Sequence, residues 1–376
     1  MKLCFLIYHY FPYGGQQRDF LRIASSCIKR GHQVSVYTLR WQGEMPAGFD
    51  VTLVPVKSAS RLKLYQKFTE WVVGQPQFAD HDLVIGFNKM PHLDVYFAAD
   101  SCFAEKAETQ RGSYYKYTPR FRHFMDYEQA VFGSGSDTQV MVLSPLQKQA
   151  YLDYYQGCES RLHLVPPGIG EDRQVEVRDE SKRQSLRDEL SVADDELLLL
   201  QVGSGFKIKG VDRALRSIAA LPDSWRRKCR YVLVGQGKPS RFLRLAKKLG
   251  LAEQVQVLSG RDDIPRFFAG ADLLLHPAYQ ESAGYTLLEA TIAGLPVLTT
   301  ASCGYAFHIE QAQVGEVCSE PFQQEELDQR LLSMLERLND ADWSGNGLAY
   351  GKNPELYSLG ETATDLLEQF GEVTEH

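Results

Sequence analysis

The sequence predicts an α/β protein of two doubly wound domains, each built around a parallel sheet. Short apolar runs alternate with helical patterns along almost the whole chain, which is the order found where helices cover both faces of a parallel sheet. Some runs, such as 272–276, are almost wholly apolar, as expected for strands buried on both faces. The chain has 376 residues, more than one hydrophobic core usually serves.

The composition is that of a soluble globular protein. Hydrophobic residues make up 44% of the chain and charged residues 24%, both ordinary values. The net charge of −7 argues against nucleic-acid binding, which needs a basic face. Seven scattered cysteines without a Cys-x-x-Cys pair indicate reduced thiols in a cytosolic compartment. No apolar run is long enough to span a bilayer, and the apolar start is predicted to be a strand, not a signal peptide.

The first predicted domain covers residues 1–165. Its strands are expected at 3–8, 34–37, 51–56, 82–87 and 139–143, and its helices at 16–29, 62–71 and 145–155. Gly14 and Gly15 lie between the first strand and the first helix, where they do not match the dinucleotide pattern G-x-G-x-x-G. They form either a ligand-facing loop or a tight turn that needs a positive φ.

Polar residues follow two of the predicted strands. Asn88 and Lys89 come directly after 82–87, at the strand end where parallel α/β sheets bind ligands. Asp100 closes the apolar run 93–100 and either faces a ligand or caps a helix.

A basic and aromatic cluster stands out at 103–132. Between Gln110 and Phe124 there are four bases and no acid, in a chain with a net charge of −7. Bases among aromatic residues suit an anionic membrane surface; nucleic acid would need the same residues, but nothing else in the chain supports it. The alternative is an aromatic-rich helix packed on the domain with ordinary exposed bases. The cluster consists of Arg111, Tyr114, Tyr115, Lys116, Tyr117, Arg120, Phe121, Arg122 and Phe124.

The second predicted domain covers 166–355. It begins with Pro166 to Gly168 and a polar segment to about 187. Strands are expected at 196–202, 230–234, 254–258, 272–276 and 297–299, the last clear one, and helices at 285–293, 323–338 and 356–370. Lys207 and Lys209 precede a helix, a position that suits a diphosphate, although the segment does not match a P-loop.

Two glutamates flank the start of the predicted helix at 285–293. Glu281 lies at the carboxyl end of a strand, and Glu289 lies within the helix. The first backbone amides of the helix, near Ser282 to Gly284, have no partner within it and can hold an anion.

This stretch resembles the signature of the retaining nucleotide-sugar glycosyltransferases of the GT-B type, family 4, in which two glutamates are separated by seven residues. The resemblance covers nearly the whole chain. Four segments together resemble in particular the lipopolysaccharide core glucosyltransferases of Gram-negative bacteria. They are Tyr-Phe-Pro-Tyr-Gly-Gly-Gln-Gln-Arg-Asp at 10–19, Gly-Phe-Asn-Lys-Met-Pro at 86–91, Asp-Val-Tyr-Phe-Ala-Ala-Asp at 94–100 and His-Pro-Ala-Tyr-Gln-Glu at 276–281.

The resemblance implies a role for each matched residue, in two domains that face a deep cleft. Glu281 is expected to meet the donor sugar, Glu289 the ribose, and the amides of Ser282, Ala283 and Gly284 the diphosphate. Lys209 and Gly210 match the Arg-Lys-Gly of the family, but Ile208 replaces the arginine, so Lys207 is the candidate substitute. The other implied donor residues are Gly14, Gly15, Arg173, Gly260 and Arg261; the implied acceptor residues are Arg18, Asp19, Asn88 and Lys89; and the implied catalytic residues are Glu281, Lys209 and Asp100.

The resemblance also implies the reaction. A hexose is expected to pass from a UDP-sugar, glucose first, to inner-core heptose on lipid A with retention of configuration and without a metal or other cofactor. UDP-GalNAc, UDP-GlcNAc and UDP-galactose are the alternative donors. A sugar-nucleotide epimerase of the same fold and a non-catalytic binding protein are the alternative functions. The protein is expected in the cytoplasm, peripheral on the inner membrane, with the segment 356–376 crossing back to the first domain as a helix.

Overall fold

A computed structural model describes residues 1–12 and 14–374 of the chain. The chain divides into two compact units. The first comprises Met1–Gly168 together with the C-terminal segment from Glu355, and the second comprises Ile169–Pro354. The boundaries predicted from the sequence, at 165/166 and 355/356, lie within three residues of these divisions.

The first unit is built on a seven-stranded parallel sheet. Its strands run in the order β5-β3-β1-β6-β7-β8-β9, and β2 and β4 pair separately. The order in which successive strands are added to the sheet reverses between β1 and β6, and we call this position the reversal point. Parallel sheets of this kind bind ligands at the carboxyl ends of the strands beside it. The strands are β1 (Lys2–Leu6), β2 (His9–Tyr10), β3 (Gln33–Thr38), β4 (Arg40–Trp41), β5 (Phe49–Leu53), β6 (Leu83–Gly86), β7 (Val95–Ala98), β8 (Gln139–Val142) and β9 (Leu162–Leu164).

Helices cover this sheet, and the last helix of the chain packs with them. They are α1 (Gly15–Lys29), α2 (Arg61–Val73), α3 (Phe103–Gln110), α4 (Pro119–Phe132), α5 (Pro145–Tyr154) and the final α15 (Leu359–Thr374). Helix α15 lies against α1. Arg30, at the end of α1, forms ion pairs with Glu361, Asp365 and Glu368 of α15.

The second unit repeats this plan with six parallel strands. Their order is β12-β11-β10-β13-β14-β15, so the reversal point lies between β10 and β13. The strands are β10 (Leu197–Val202), β11 (Cys229–Val234), β12 (Val255–Leu258), β13 (Leu273–His276), β14 (Val297–Thr300) and β15 (Gly315–Cys318). The helices are α6 (Glu180–Leu190), α7 (Val211–Ala220), α8 (Asp223–Arg226), α9 (Ser240–Lys248), α10 (Ile264–Gly270), α11 (Tyr285–Ile292), α12 (Ala306–Gln311), α13 (Gln324–Glu336) and α14 (Trp343–Tyr350). Two parallel sheets with covering helices confirm the predicted fold class.

Several predicted element bounds were wrong. The polar segment before residue 187 contains most of α6, whose few apolar residues hide its helical period. β14 is not the last strand, because β15 pairs with it although Gly315 and Glu316 leave β15 without an apolar run. The strand expected at 3–8 ends at Leu6, since the Tyr8 amide donates to Asn88 Oδ1 over 2.9 Å instead of joining the sheet.

Three further predictions concern single features. Each of the seven cysteines is a free thiol, as expected from the sequence, and each is buried. The predicted C-terminal segment 356–376 corresponds to α15 up to Thr374, and residues 375–376 lie outside the described residues. Among the helices of 1–12 and 14–374, none combines the length and the apolar character needed to cross a bilayer.

Candidate functional site

The second unit brings Lys209 and Glu281 together at the reversal point of its sheet. Lys209 follows β10 and Glu281 follows β13, and these two strands are neighbours. The Lys209 ammonium donates to Glu281 Oε1 in an ion pair. On the other side, His276 Nε2 lies 2.8 Å from Glu281 Oε2. Both carboxylate oxygens therefore have partners, and the carboxylate is held in one orientation.

The electrostatics keep this carboxylate ionised. Burial alone raises the pKa of Glu281, but the charge of Lys209 and the contact with His276 outweigh burial and lower the pKa to about 2. Burial raises the pKa of the adjacent Cys303 thiol to about 12, with a further contribution from the charge of Glu281. At neutral pH the site thus has a charged glutamate beside a neutral thiol.

Backbone contacts fix the loop that carries Glu281. The Glu281 amide donates to Ser302 O over 3.0 Å, and the Gly304 amide donates to Glu281 O over 2.9 Å. A Cβ atom at Gly210 would lie 1.9 Å from Pro277 O, so only glycine allows the loop after β10 to approach so closely. Gly284 adopts a φ of +117° directly before α11, which turns the chain into that helix.

Three possible metal ligands converge at this site, which the sequence did not predict. Donor atoms of His276, Glu281 and Cys303 lie within 4.8 Å of one another. A metal would need the thiolate form of Cys303 and a free carboxylate. The thiol is held neutral and Lys209 already pairs with the carboxylate, so the arrangement in this state does not fit a metal.

Arg173 and Glu289 share a second pocket of the same unit, of about 410 Å³. Arg178 and Lys182 also line it. Arg261 does not contribute a free charge here, because its guanidinium pairs with Asp263 at 2.7 Å and with Glu189 at 2.9 Å. The neighbouring Gly260 lies against the Gln236 side chain.

Lys207 and Lys209 differ in their surroundings although two residues apart. Lys209 is half-buried, and its stem passes over Gly203, where an added Cβ would lie 3.1 Å from Lys209 Cε. Lys207 is exposed, beside an equally exposed Ile208. Among the described residues, no acidic side chain pairs with Lys207, so its charge is available to a ligand.

In the first unit, the predicted glycine loop leads into α1. Gly14 precedes the helix with a φ of −84°, so the positive φ considered for this turn was wrong. An added Cβ atom would lie 1.8 Å from Gln17 Oε1, so a side chain at this position would require the Gln17 side chain to move. Gly15 begins α1, Arg18 lies one turn later, and Asp19 is buried beside Arg22 at 3.3 Å. Tyr13 lies outside the described residues.

Asn88, Lys89 and Asp100 line one pocket of this unit, of about 480 Å³. Lys89 forms an ion pair with the buried Glu128 and also donates to Ser101 O over 2.9 Å. Glu128 accepts hydrogen bonds from the Phe103 and Ala104 amides at the start of α3. The capping role considered for Asp100 was therefore wrong, because Glu128 performs it, and Asp100 is exposed.

The side chains of the basic and aromatic cluster lie in two different environments. Tyr114 and Tyr117 are 86% and 83% exposed. The rings of Tyr115, Phe121 and Phe124 are half-buried and contact Phe103. All four bases are exposed, but Arg111 and Arg120 line the 480 Å³ pocket, whereas Lys116 and Arg122 are absent from its lining.

Sequence reasoning missed several residues at these sites. His276 ends the run Leu273–His276, and a histidine at the carboxyl end of a strand was the available signal. Arg213 lies between the rings of Tyr279 and Phe322, at 3.7 and 3.6 Å, and so supports the loop before Glu281. In the first unit, Arg61 and His123 line the 480 Å³ pocket without any local signal in the sequence.

Comparison with known proteins gives consistent results. Residues 182–346 match the family described as glycosyl transferases group 1. The chain is 46% identical over 369 residues to the lipopolysaccharide glucosyltransferase WaaG of Escherichia coli (strain K12), a match that covers 98% of each chain.

Solved structures are similar over the same extent. A crystal structure of WaaG, a glycosyltransferase involved in lipopolysaccharide biosynthesis, has a TM-score of 0.89 and 46% identity, and the match covers 97% of this chain and 99% of that one. Anabaena HepE in complex with UDP-glucose has a TM-score of 0.75 at 18% identity, over 98% of this chain and 100% of that one, and this likeness shows the fold alone.

Proposed function

The chain belongs to the group 1 glycosyl transferases and, within them, to the lipopolysaccharide glucosyltransferases, and we propose that it transfers glucose from UDP-glucose to a heptose of the lipopolysaccharide inner core. The observation that carries this proposal is the ionised Glu281 held between Lys209 and His276 at the reversal point of the second sheet. A fixed carboxylate accepts hydrogen bonds from sugar hydroxyls, and a lysine beside it attracts a diphosphate. The epimerase alternative is not favoured, because the 46% identical relative is a glucosyltransferase.

In the proposed reaction, the bond between the sugar C1 and the UDP oxygen breaks, and an acceptor oxygen bonds to C1 from the same face. The leaving phosphate oxygen takes the acceptor proton, so no side chain is needed as a covalent nucleophile. Stabilising the departing UDP charge is then the main contribution of the protein. We assign it to Lys209, Arg173 and the amides that open α11, with Lys207 as the substitute for the family arginine. Glu289, in the pocket with Arg173, is assigned to the ribose.

We also propose that the reaction needs no metal. The positive charge that a metal would bring to a diphosphate is available from the exposed Lys207, with which no acidic side chain of the described residues pairs. The neutral Cys303 thiol and the Lys209–Glu281 pair support this proposal. Activity in a chelating buffer is expected to equal activity with added Mg²⁺, and a loss of turnover with chelator would contradict it.

We place the protein on the cytoplasmic face of the inner membrane, where a lipid A acceptor lies. The exposed Tyr114 and Tyr117, together with Lys116 and Arg122, offer aromatic and basic groups to an anionic lipid surface. The soluble UDP-sugar would arrive from the other side.

Incubation with a panel of UDP-sugars and a deacylated heptose acceptor tests the proposed function. We expect a new α-linked glucoside with UDP-glucose and slower transfer from the other three donors. The Glu281→Gln variant keeps the size of the side chain but loses its charge, and it should lose at least about 10²-fold in turnover. An altered donor without a new glycoside would indicate an epimerase, and neither product would indicate a binding protein.

A further inference from the structure

The 480 Å³ pocket of the first unit is strongly basic. Arg61 of α2, Lys106 of α3, and Arg111 and Arg120 of the segment between α3 and α4 line it. Among the described lining residues, Asp100 is the one carboxylate. No acidic side chain of the described residues pairs with any of the four bases. Such a concentration of uncompensated positive charge is unexpected in a chain with a net charge of −7.

These bases are positioned by their surroundings. Arg61 donates to the Tyr65 hydroxyl over 2.9 Å. Arg111 lies 5.4 Å from the Tyr115 ring centre and Arg120 lies 5.5 Å from that of Phe124, both within the range of a cation–π contact. These contacts restrain the side chains while leaving most of their N–H groups unused.

A buried histidine faces the same pocket without a partner. His123 is 5% exposed, and neither of its ring nitrogens has a hydrogen-bond partner among the residues that the structure describes. Its ring packs against Phe124 and Tyr127. Both nitrogens are themselves buried, so His123 contributes to the pocket wall through its ring and offers no accessible nitrogen to a ligand.

We propose that this pocket binds an anionic group, a carboxylate or a phosphate, of the acceptor saccharide. The inference rests on the proposed function and specifies which kind of acceptor the enzyme uses. Arg61, Lys106 and Arg120 bind the anion, and Asp100 accepts from a saccharide hydroxyl. Lys89 also lines the pocket but does not bind the anion, because Glu128 already neutralises its charge.

The bases of the pocket would also bind the phosphate of a membrane lipid. The basic and aromatic cluster, however, separates into residues that line the pocket and residues that do not, and this separation argues for the saccharide. The strongly exposed Tyr114 and Tyr117, and the bases Lys116 and Arg122, are absent from the pocket lining. Arg120, by contrast, shares a cavity with Asn88 and Asp100. Those two residues follow β6 and β7, at the strand ends where the sheet of this unit binds ligands.

The test compares steady-state kinetics for three soluble acceptors. One is the deacylated anionic saccharide, one has its phosphates removed, and one has its carboxylates methyl-esterified as well. For the first acceptor, Arg61→Gln, Lys106→Gln and Arg120→Gln should each raise KM by about 10-fold or more with little change in kcat, the size of one lost charge-assisted hydrogen bond. The neutral acceptor should bind the parent weakly and show little difference between parent and variants.

Lys63→Gln is the matched control, because Lys63 is an exposed base on α2 that does not line the pocket. Its KM should equal that of the parent. The dephosphorylated acceptor identifies which anion the pocket recognises.

The inference is overturned if the three arginine and lysine variants keep the parent KM for the anionic acceptor, or if they lose affinity for the neutral one equally. It is also overturned if they lose only sedimentation with anionic vesicles, since the pocket would then hold a lipid phosphate. If the parent transfers glucose to none of the acceptors, the proposed function fails instead.

Discussion

At the scale of single residues, Lys209 and Lys207 have different electrostatic partners although they are two residues apart. Lys209 neutralises a buried carboxylate, whereas Lys207 is exposed and unpaired among the described residues. Lys209→Ala should lower turnover by about 10²-fold and weaken UDP binding, because a charge at the leaving group is lost. Lys207→Ala should raise the KM for UDP-glucose by about 10-fold. Both are measured by donor kinetics and UDP titration, with the exposed Lys228→Ala as control. If both variants bind UDP like the parent, the diphosphate is held elsewhere.

His308 of α12 gives a prediction about pH at the same scale. Burial lowers its pKa from 6.5 to about 4, and its Nδ1 lies 2.6 Å from the Tyr350 hydroxyl. Because the folded-state pKa is depressed, the unfolded chain binds the proton first as the pH falls below 6.5. The folded protein therefore has its full stability above pH 6.5, and its free energy of unfolding falls by roughly 3 kcal/mol as the pH is lowered towards 4. Urea unfolding from pH 7 to pH 4 should show this loss, and His308→Phe should show a smaller one. Equal pH dependence in parent and variant would rule out His308 as its source.

At the scale of elements, α6 is held to the second sheet by a buried charge cluster. Asp272, just before β13, lies 2.8 Å from Arg183 and 3.0 Å from Arg187, and it accepts from the Leu198 amide of β10 over 2.7 Å. Arg187 also donates to two backbone carbonyls over 2.6 Å.

Asp272→Ala removes the partner of an arginine that is only 2% exposed, and it should reduce the free energy of unfolding by about 3–5 kcal/mol. Glu180→Ala is the control, because the Glu180–Arg183 pair is long, at 3.7 Å, and mostly exposed. Its effect should be within about 0.5 kcal/mol of zero. Urea unfolding of both variants measures the difference, and equal effects would show that the cluster does not hold α6.

At the scale of the whole molecule, the proposed contact with an anionic membrane needs a local basic surface, because the net charge of the chain is −7. The exposed Lys116 and Arg122 lie beside Tyr114 and Tyr117 and provide a local basic surface. Each base contributes roughly 1 kcal/mol near an anionic surface, so we expect the proposed attachment to be loose and to be weakened by salt.

The double variant Lys116→Gln/Arg122→Gln should sediment with anionic vesicles several-fold less than the parent. The control Lys247→Gln/Lys248→Gln makes the same charge change on the exposed side of α9 and should leave sedimentation unchanged. Equal losses in both would indicate a general effect of net charge, and no loss in either would show that this surface is not the attachment site.

The sequence by itself determined the fold class and the family. Continuous apolar runs and the helical patterns between them are local properties, so they predicted the parallel strands and most helices. The motif around Glu281 and Glu289 predicted the chemistry, because its residues are close in the chain. Where an element lacks an apolar pattern, as α6 and β15 do, the sequence failed, since ion pairs and edge pairing stabilise those elements.

Only the tertiary structure decided which side chains meet. Cys303 joins His276 and Glu281 because β13 and β14 are neighbours, although Cys303 follows the next strand along the chain. Likewise, the basic cluster looked uniform in sequence, yet Arg111 and Arg120 line a pocket with Arg61 while Lys116 and Arg122 do not. The direction of a side chain depends on how its helix is rotated against the rest of the unit. That rotation is set by packing between residues distant in the chain, such as Phe103 against Phe124 and Glu128 against Lys89.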